Sequence, residues 1–234
     1  MRTFETVFLD AGGVLVWPNW HRVADVLRAH GVSADPRRLI DADPRARVAI
    51  DRSEPAGGST DQRRGSTLFE LVFAEAGVAM DNRTLAAVEE LQAYHRERNL
   101  WESVPPFVAP ALQDLRSAGY RMVIVSNSNG TLHRLFDRVG LSPLVDVIVD
   151  SHVEQVEKPE RRFFDIALDR SGARREATVH VGDLYHVDVA GARAAGLAAV
   201  LIDEAGLRPD ADCPRLRDVS GLPALLTRWT KGSV

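Results

Sequence analysis

Residues 4–14 of the chain read FETVFLDAGGV, a short apolar run that ends on Asp10 and continues into Gly12 and Gly13. A continuous apolar run is typical of a strand buried on both faces, and open α/β sheets bind ligands at the carboxyl ends of such strands. Glycines at that point let the backbone approach a ligand closely. Asp10 is therefore a candidate nucleophile or metal ligand. The competing interpretation is an ordinary strand-end aspartate that caps a turn.

A second acidic strand end lies at residues 177–188, which read ATVHVGDLYHVD. The apolar run at 178–181 predicts a strand, followed by a turn at Gly182 and by Asp183 and Asp188 near the start of a helix. Two carboxylates five residues apart suit a hard cation such as Mg2+. Capping of that helix by either aspartate is the alternative.

Polar groups also follow the predicted strand at 121–125, which runs into the sequence SNSNG. The Ser126 hydroxyl, the Asn127 amide and the turn backbone are suited to binding an oxyanion. Clusters of Ser, Asn and Gly also mark ordinary turns.

Lysine is rare in this chain, which carries arginine at nearly every basic position and has lysine only at Lys158 and Lys231. Lys158 precedes Pro159 and a predicted helix at 160–171. A lysine kept among arginines indicates a need for a compact point charge, with chance as the alternative.

These four elements, in this order, resemble the haloacid dehalogenase (HAD) superfamily along the whole chain. The resemblance implies that Asp10 is the nucleophile, that Ser126 lies in the hydroxyl motif and that Lys158 is the basic motif. Asp183 and Asp188 then correspond to the acidic motif. In such an enzyme the aspartate attacks a phosphomonoester and becomes an aspartyl-phosphate.

The resemblance also assigns ligands for phosphate and metal. The metal ligands that it implies for Mg2+ are Asp10, the Gly12 carbonyl, Asp183 and Asp188. The phosphate-binding residues that it implies are Gly12, Gly13, Ser126, Asn127 and Lys158. Asp10, Ser126 and Lys158 are the predicted catalytic residues.

The predicted fold class is α/β, with a Rossmann-like parallel sheet flanked by helices and an inserted all-helical cap. Strands and helices alternate after residue 104, which predicts parallel pairing with right-handed crossovers. The segment at 18–100 reads as helices only, and the resemblance makes it the cap of the family's first subclass. We predict a core of residues 1–16 and 102–234 and a cap of residues 17–101.

Helical periodicity in the insert predicts four helices, at 19–30, 36–51, 61–76 and 81–100, with a loop at 54–60. Pro44 is predicted to interrupt the second helix, and Leu85 to face inward from the fourth. Five arginines of the insert are interpreted as surface charges rather than substrate contacts: Arg45, Arg47, Arg52, Arg63 and Arg64.

One position departs from the family pattern. The phosphatases and mutases of the family usually carry a second aspartate, the general acid and base, two residues after the nucleophile, where this chain has Gly12. Loss of a general acid typically costs about 10²–10⁴-fold in rate. His186 and His21 are candidates for the missing proton donor, and Trp17 and Trp20 are expected to pack near the hinge.

Composition restricts the function classes further. The chain of 234 residues has a net charge of -4 and a pI near 6.0, which argues against a nucleic-acid partner. A single cysteine, Cys213, excludes an internal disulfide and favours the cytoplasm, and the longest apolar stretch is too short to cross a membrane. We expect a small phosphorylated molecule as substrate and a monomer or homodimer.

Three functions remain open: a Mg2+-dependent phosphatase, a haloacid dehalogenase and a binding protein that has lost turnover. Dehalogenases of the resembled family need no metal and hold the substrate with an arginine near the cap. Asp183 and Asp188 argue against that function, because unneutralised carboxylates would repel a carboxylate substrate. Gly12 is the main support for the third.

Overall fold

A computed structural model describes residues 4–53 and 60–230, with the backbone alone for Gln62 and Thr230. Six parallel strands in these residues form one sheet in the order β3-β2-β1-β4-β5-β6. The strands are β1 Thr6–Leu9, β2 Arg121–Ser126, β3 Val147–Asp150, β4 Thr178–Gly182, β5 Ala198–Ile202 and β6 Arg215–Leu216. The predicted α/β class is confirmed.

Ten α-helices accompany the sheet in the described residues. The insert contains α1 Trp20–Ala29, α2 Pro36–Ser53, α3 Asp61–Ala76 and α4 Asn82–Arg98. The remaining helices are α5 Val108–Ser117, α6 Leu132–Arg138, α7 Ser151–Glu154, α8 Arg161–Ser171, α9 Gly191–Ala194 and α10 Leu222–Thr230. None of the helices in the described part of the chain is both long and apolar enough to cross a bilayer.

Strand β1 lies in the interior of the sheet, paired with β2 on one side and β4 on the other. All four of its residues are buried. Alternate side chains point to opposite faces of the sheet. Val7 and Leu9 pack with α5, α6 and α10, whereas Phe8 packs with Phe163 and Phe164 of α8. Burial on both faces explains why the strand reads as an unbroken apolar run.

The helices of the insert enclose a separate apolar cluster that includes Trp20, Leu39, Phe73 and Leu91. The chain enters and leaves the insert through one antiparallel bridge between Trp17 and Ser103. Two backbone hydrogen bonds close the bridge, with N···O distances of 2.9 and 3.0 Å. The division at residues 16/17 and 101/102 stays a prediction, and the position of this bridge is compatible with it.

Pro44 does not interrupt α2, contrary to the sequence-based prediction. A proline inside a helix removes the hydrogen bond to the carbonyl four residues earlier, here that of Ile40. The Ile40 side chain is exposed, whereas Leu39, Ala46 and Ile50 are buried on the opposite side. Packing of that apolar face keeps the helix continuous where local propensity alone would end it.

Further differences lie at the element ends and faces. Leu85 is 47% exposed, because α4 buries Thr84, Ala87 and Leu91 instead. The helix predicted to begin near Asp183 and Asp188 is a wide π-helical turn, Tyr185–Ala190, followed by the single turn of α9. Strand β6 and helix α10 were not predicted. Most of the predicted loop at 54–60 and Lys231 lie outside the described residues.

Candidate active site

Asp10 follows β1 directly and lies 2.9 Å from Lys158, measured from Asp10 Oδ1 to Lys158 Nζ. The same oxygen accepts a hydrogen bond from the Ala11 amide at 2.8 Å. Lys158 is 1% exposed and also contacts Asp188 Oδ1, at 2.7 Å. Burial opposes its charge, but Asp10 and Asp188 outweigh burial and raise the pKa of Lys158, so the ammonium group stays charged.

Asp188 is fully buried within the wide turn after β4, Tyr185–Ala190. Its Oδ1 accepts from Lys158 and from His180 Nε2 at 2.9 Å, and its Oδ2 accepts from the Leu184 amide at 3.0 Å. Burial would raise the pKa of Asp188, yet the Lys158 charge and the His180 hydrogen bond hold it below its usual range. Gly182 permits this packing, because a Cβ there would lie 2.1 Å from Asp188 Cγ.

Asp183 lies beside these two aspartates. Asp10, Asp183 and Asp188 each offer an oxygen within 4.8 Å of the other two. Burial raises the pKa of Asp183 to about 7; Arg47 opposes the shift, and Asp10 and Asp188 add to it. The three carboxylates therefore repel one another in a site where water screens them poorly.

Arg47 reaches this cluster from α2, so its interpretation as a surface charge is wrong. Its guanidinium lies 2.8 Å from Asp183 Oδ2, 2.6 Å from Glu204 Oε2 and 3.0 Å from Asp43 Oδ1. The side chain is 13% exposed. The signal in the sequence was the spacing of Asp43, Arg47 and Asp51, which places three charges on one face of α2.

Arg64, on α3, is a second arginine whose interpretation as a surface charge is wrong. Its side chain is 8% exposed, and it lies 3.8 Å from Asp61 Oδ1. Two arginines of the insert, Arg47 and Arg64, are therefore largely buried.

Gly12 and Gly13, which follow Asp10, differ in whether the backbone could accept a side chain there. Gly13 has a φ of +67°, and a Cβ on it would lie 2.2 Å from both Arg47 NH1 and Asp183 Oδ2. Gly12 lies outside the left-handed region, and its Cβ would sit 3.5 Å from the indole of Trp101, an ordinary contact. Glycine is therefore required by geometry at residue 13 but not at residue 12.

Ser126 and Asn127 lie at the end of β2, next to Asp10 in the sheet order. The Ser126 hydroxyl donates to the Asn127 carbonyl at 3.3 Å. The Asn127 side chain bonds both backbone groups of Lys158, accepting from its N–H at 2.8 Å and donating to its carbonyl at 3.0 Å. Asn127 thus holds Lys158 in place through its side chain.

Comparison with known proteins agrees with this arrangement. The family model described as haloacid dehalogenase-like hydrolase matches residues 4–196. The chain belongs to this family. The resemblance predicted from the sequence is confirmed, and the protein is a HAD-like hydrolase.

Two curated relatives are similar over much of their length. Haloacid dehalogenase-like hydrolase domain-containing protein 3 of Bos taurus is 28% identical over 75% of this chain and 71% of that protein. Glyceraldehyde 3-phosphate phosphatase of Methanothermobacter thermautotrophicus is 31% identical over 62% of each chain.

Solved structures share the fold. The HAD-hydrolase YfnB from Bacillus subtilis, bound to magnesium, has a TM-score of 0.68 at 16% identity and covers 97% of this chain and 100% of its own. A 2-haloacid dehalogenase from Pseudomonas syringae has a TM-score of 0.61 at 22% identity over 97% and 100%. At these identities the likeness shows the fold alone.

The site of this HAD-like hydrolase fits a divalent cation. The cluster contains two cationic side chains, Arg47 and Lys158. They are contacted by five carboxylates, those of Asp10, Asp43, Asp183, Asp188 and Glu204. The formal charge is therefore strongly negative, and the donor atoms offered are oxygens. Mg2+ prefers such ligands and would relieve the repulsion that raises the pKa of Asp183.

His21 and His186 are the two histidines predicted as candidate proton donors. His21 is exposed on α1. His186 packs edge-on against the Tyr185 ring at 5.4 Å, and its amide donates to Asp51 Oδ1.

Asp61, the first residue of α3, is an acid near the site that the sequence analysis missed. Its amide donates to Glu157 Oε2 at 3.3 Å, directly before Lys158 in the chain. The side chain is 45% exposed and lies in the field of Asp10 and Lys158. Desolvation by the groups packed around it raises the pKa of Asp61 to about 6; Arg64 and Lys158 oppose the shift, and Glu157 and Asp10 add to it.

Proposed function

We propose that this HAD-like hydrolase is a Mg2+-dependent phosphatase that hydrolyses a small phosphorylated metabolite through an aspartyl-phosphate on Asp10. The observation that carries the proposal is the convergence of Asp10, Asp183 and Asp188 within 4.8 Å of one another. The relative named glyceraldehyde 3-phosphate phosphatase supports a phosphate ester of a small metabolite as substrate.

The hydrogen bonds of Asp10 select the attacking atom. Oδ1 is engaged by the Ala11 amide and by Lys158, which leaves Oδ2 as the nucleophile. Oδ2 forms the new bond to phosphorus while the bond from phosphorus to the ester oxygen breaks on the opposite side. Water then attacks the aspartyl-phosphate, which releases phosphate and restores the carboxylate.

Charge around the transferring group comes from the protein and the cation. Mg2+, held by Asp10, the Gly12 carbonyl, Asp183 and Asp188, would offset the repulsion between a carboxylate and a phosphate dianion. Lys158 supplies the fixed positive charge of the chain itself, and phosphoryl transfer depends mainly on such positioning and electrostatics.

The leaving oxygen needs a proton that Gly12 cannot supply, and we assign this role to Asp61. Three observations support it: the half-exposed Asp61 side chain interacts electrostatically with Asp10 and Lys158, its amide is bonded to Glu157 beside Lys158, and its pKa near 6 suits a general acid. Residues of the cap and of the core would then act on the same phosphate.

The proposal is tested with 4-nitrophenyl phosphate and the full chain. Asp10→Asn keeps the shape of the side chain but lacks the nucleophilic charge, so phosphate release should fall to background. EDTA should abolish turnover of the wild type, and added Mg2+ should restore it. Asp169→Asn, at an exposed position on α8, is the matched control and should leave the rate unchanged. Wild-type turnover in Asp10→Asn would remove the nucleophile assignment.

A dehalogenase acting on 2-haloacids is the second candidate, because the cap brings Arg47 into the site. Three carboxylates already engage that guanidinium, and Asp183 and Asp188 would repel a carboxylate substrate. Halide release from a 2-haloacid in the presence of EDTA, with no phosphate release, would favour this function. Absence of both activities would favour a binding protein.

A further inference from the structure

Arg47 makes a buried charged contact between α2 of the insert and the core. Its NH1 and NH2 groups bind Asp183 and Glu204 of the core, and its Nε binds Asp43 on the preceding turn of α2. The pairing is buried, with the Arg47 side chain 13% exposed and that of Asp183 6% exposed. Burial weakens screening by water, so the guanidinium acts strongly on every charge nearby.

The Arg47 guanidinium contacts Asp183 directly, so it would repel a cation bound to the same carboxylate. A Cβ on Gly13 would lie 2.2 Å from both Arg47 NH1 and Asp183 Oδ2. The ion pair therefore rests on the same turn that carries the Gly12 carbonyl. A divalent cation at Asp10, Asp183 and Asp188 would share this small region with a second, fixed positive charge.

The guanidinium would keep two other carboxylate partners if its contact with Asp183 were lost. Asp43 and Glu204 bind its other two nitrogens, at 3.0 and 2.6 Å. Glu204 in addition accepts from the Trp17 indole at 3.3 Å, next to the bridge that joins the insert to the core. Loss of one contact would thus leave Arg47 paired rather than stranded.

We propose that Arg47 is an internal counter-ion that competes with the divalent cation for Asp183. In the metal-free protein Arg47 neutralises the carboxylate and ties α2 to the core. Cation binding at Asp183 weakens that link, so metal occupancy and the hold of the cap on the core oppose each other. The inference rests on the proposed metal site, and it assigns to Arg47 the control of metal affinity.

The test measures Mg2+ affinity of the full chain by isothermal titration calorimetry, without substrate. Arg47→Met removes the charge and keeps much of the apolar stem, so Mg2+ should bind about tenfold more tightly than to the wild type, a usual size for coupled sites. Arg52→Met is the matched control. Arg52 lies on the same helix and contacts the core at the Leu207 carbonyl, but it does not touch Asp183. Its Mg2+ affinity should equal that of the wild type.

Two outcomes overturn the inference. Equal or weaker Mg2+ binding by Arg47→Met would show that the guanidinium orients Asp183 for the metal instead of competing. If the wild type bound no Mg2+, both the metal site and the proposed function would be wrong. If the wild type bound Mg2+ and Arg47→Met did not bind it more tightly, only the inference about Arg47 would be wrong.

A measurement on the wild type covers the case in which Arg47→Met does not fold. The Nη–H signals of Arg47 in a 1H-15N NMR spectrum recorded at low temperature should shift on addition of Mg2+, because Nη1 is the nitrogen that contacts Asp183. The Nη–H signals of Arg52 should stay in place. An unmoved Arg47 signal at saturating Mg2+ would overturn the competition.

Discussion

The metal binding proposed for Asp183 should depend on pH. The pKa of Asp183 is raised to about 7 because burial and the charges of Asp10 and Asp188 outweigh the pull of Arg47. Below that pH the carboxylate carries a proton, and a cation has to displace it. Asp188 stays ionised throughout, because Lys158 and His180 hold its pKa below the usual range.

We expect Mg2+ affinity to weaken by up to about tenfold for each pH unit below 7, since one proton is released on binding. Calorimetry in two buffers of different ionisation enthalpy should show nearly one released proton at pH 6 and far fewer at pH 8. Affinity that is constant from pH 5.5 to 8 would contradict the raised pKa of Asp183.

The turn after β1 follows Asp10 and packs against Asp183 and Arg47. It needs glycine at residue 13, where φ is positive and Arg47 and Asp183 fill the space of a side chain. It does not need glycine at residue 12. The two neighbouring positions therefore form a matched pair of variants.

Gly13→Ala should lower the free energy of unfolding by at least about 2 kcal/mol, from left-handed strain and from displacement of the Arg47–Asp183 pair. Gly12→Ala should change it by less than about 0.5 kcal/mol. Urea denaturation of both variants measures the difference. Equal losses would mean that the turn relaxes around either methyl group.

Local pattern predicts the elements of this fold better than their mutual contacts. The apolar runs of β1 and β4 and the helix at 161–171 follow from periodicity and were predicted with the correct type and place. Helix α2 was predicted to be interrupted at Pro44, because its buried face against α3 cannot be read from propensity.

The same limit applies to the site. Residues on strand ends were predictable, since parallel strands present their carboxyl ends at one edge of the sheet. Arg47 and Asp61 were not, because their position depends on how the cap packs on the core. A charged residue on a helix looks like a surface residue until its partner, distant in the sequence, is known.

At the scale of the whole molecule, a second buried ion pair on the same face of α2 connects the insert to the core. Asp51 contacts Arg208 of the loop after β5 and accepts from the His186 amide at 2.9 Å. Both charged side chains are nearly inaccessible to water. Removal of one partner leaves the other charge buried without compensation, which is costly.

Arg208→Met should therefore lower the free energy of unfolding by about 3–5 kcal/mol, the usual loss for a broken buried pair. The double variant Asp51→Leu/Arg208→Met should recover most of that loss, because neither charge remains. Arg52→Met, which breaks an exposed contact on the same helix, should cost less than about 1 kcal/mol. Equal losses in Arg208→Met and Arg52→Met by urea denaturation would contradict the buried pair.

The role proposed for Asp61 can be tested by changing the leaving group of the substrate. Gly12 stands where a general acid is usual, and Asp61 of the insert lies beside Glu157, which precedes Lys158. An aryl oxygen leaves without a full proton, whereas an alkyl oxygen needs one. Turnover of an alkyl phosphate should thus depend on Asp61, and it should fall as pH rises through about 6, where the acid loses its proton.

Asp61→Asn should slow hydrolysis of an alkyl phosphate by about 10²-fold or more and affect 4-nitrophenyl phosphate far less. Glu70→Gln, at an exposed position on the same helix, should change neither rate. Gly12→Asp should restore alkyl phosphate turnover to Asp61→Asn, because a Cβ at residue 12 would lie at an ordinary contact distance from the Trp101 indole. An equal loss on both substrates in Asp61→Asn would mean that Asp61 holds α3 against Glu157 and donates no proton to the leaving group.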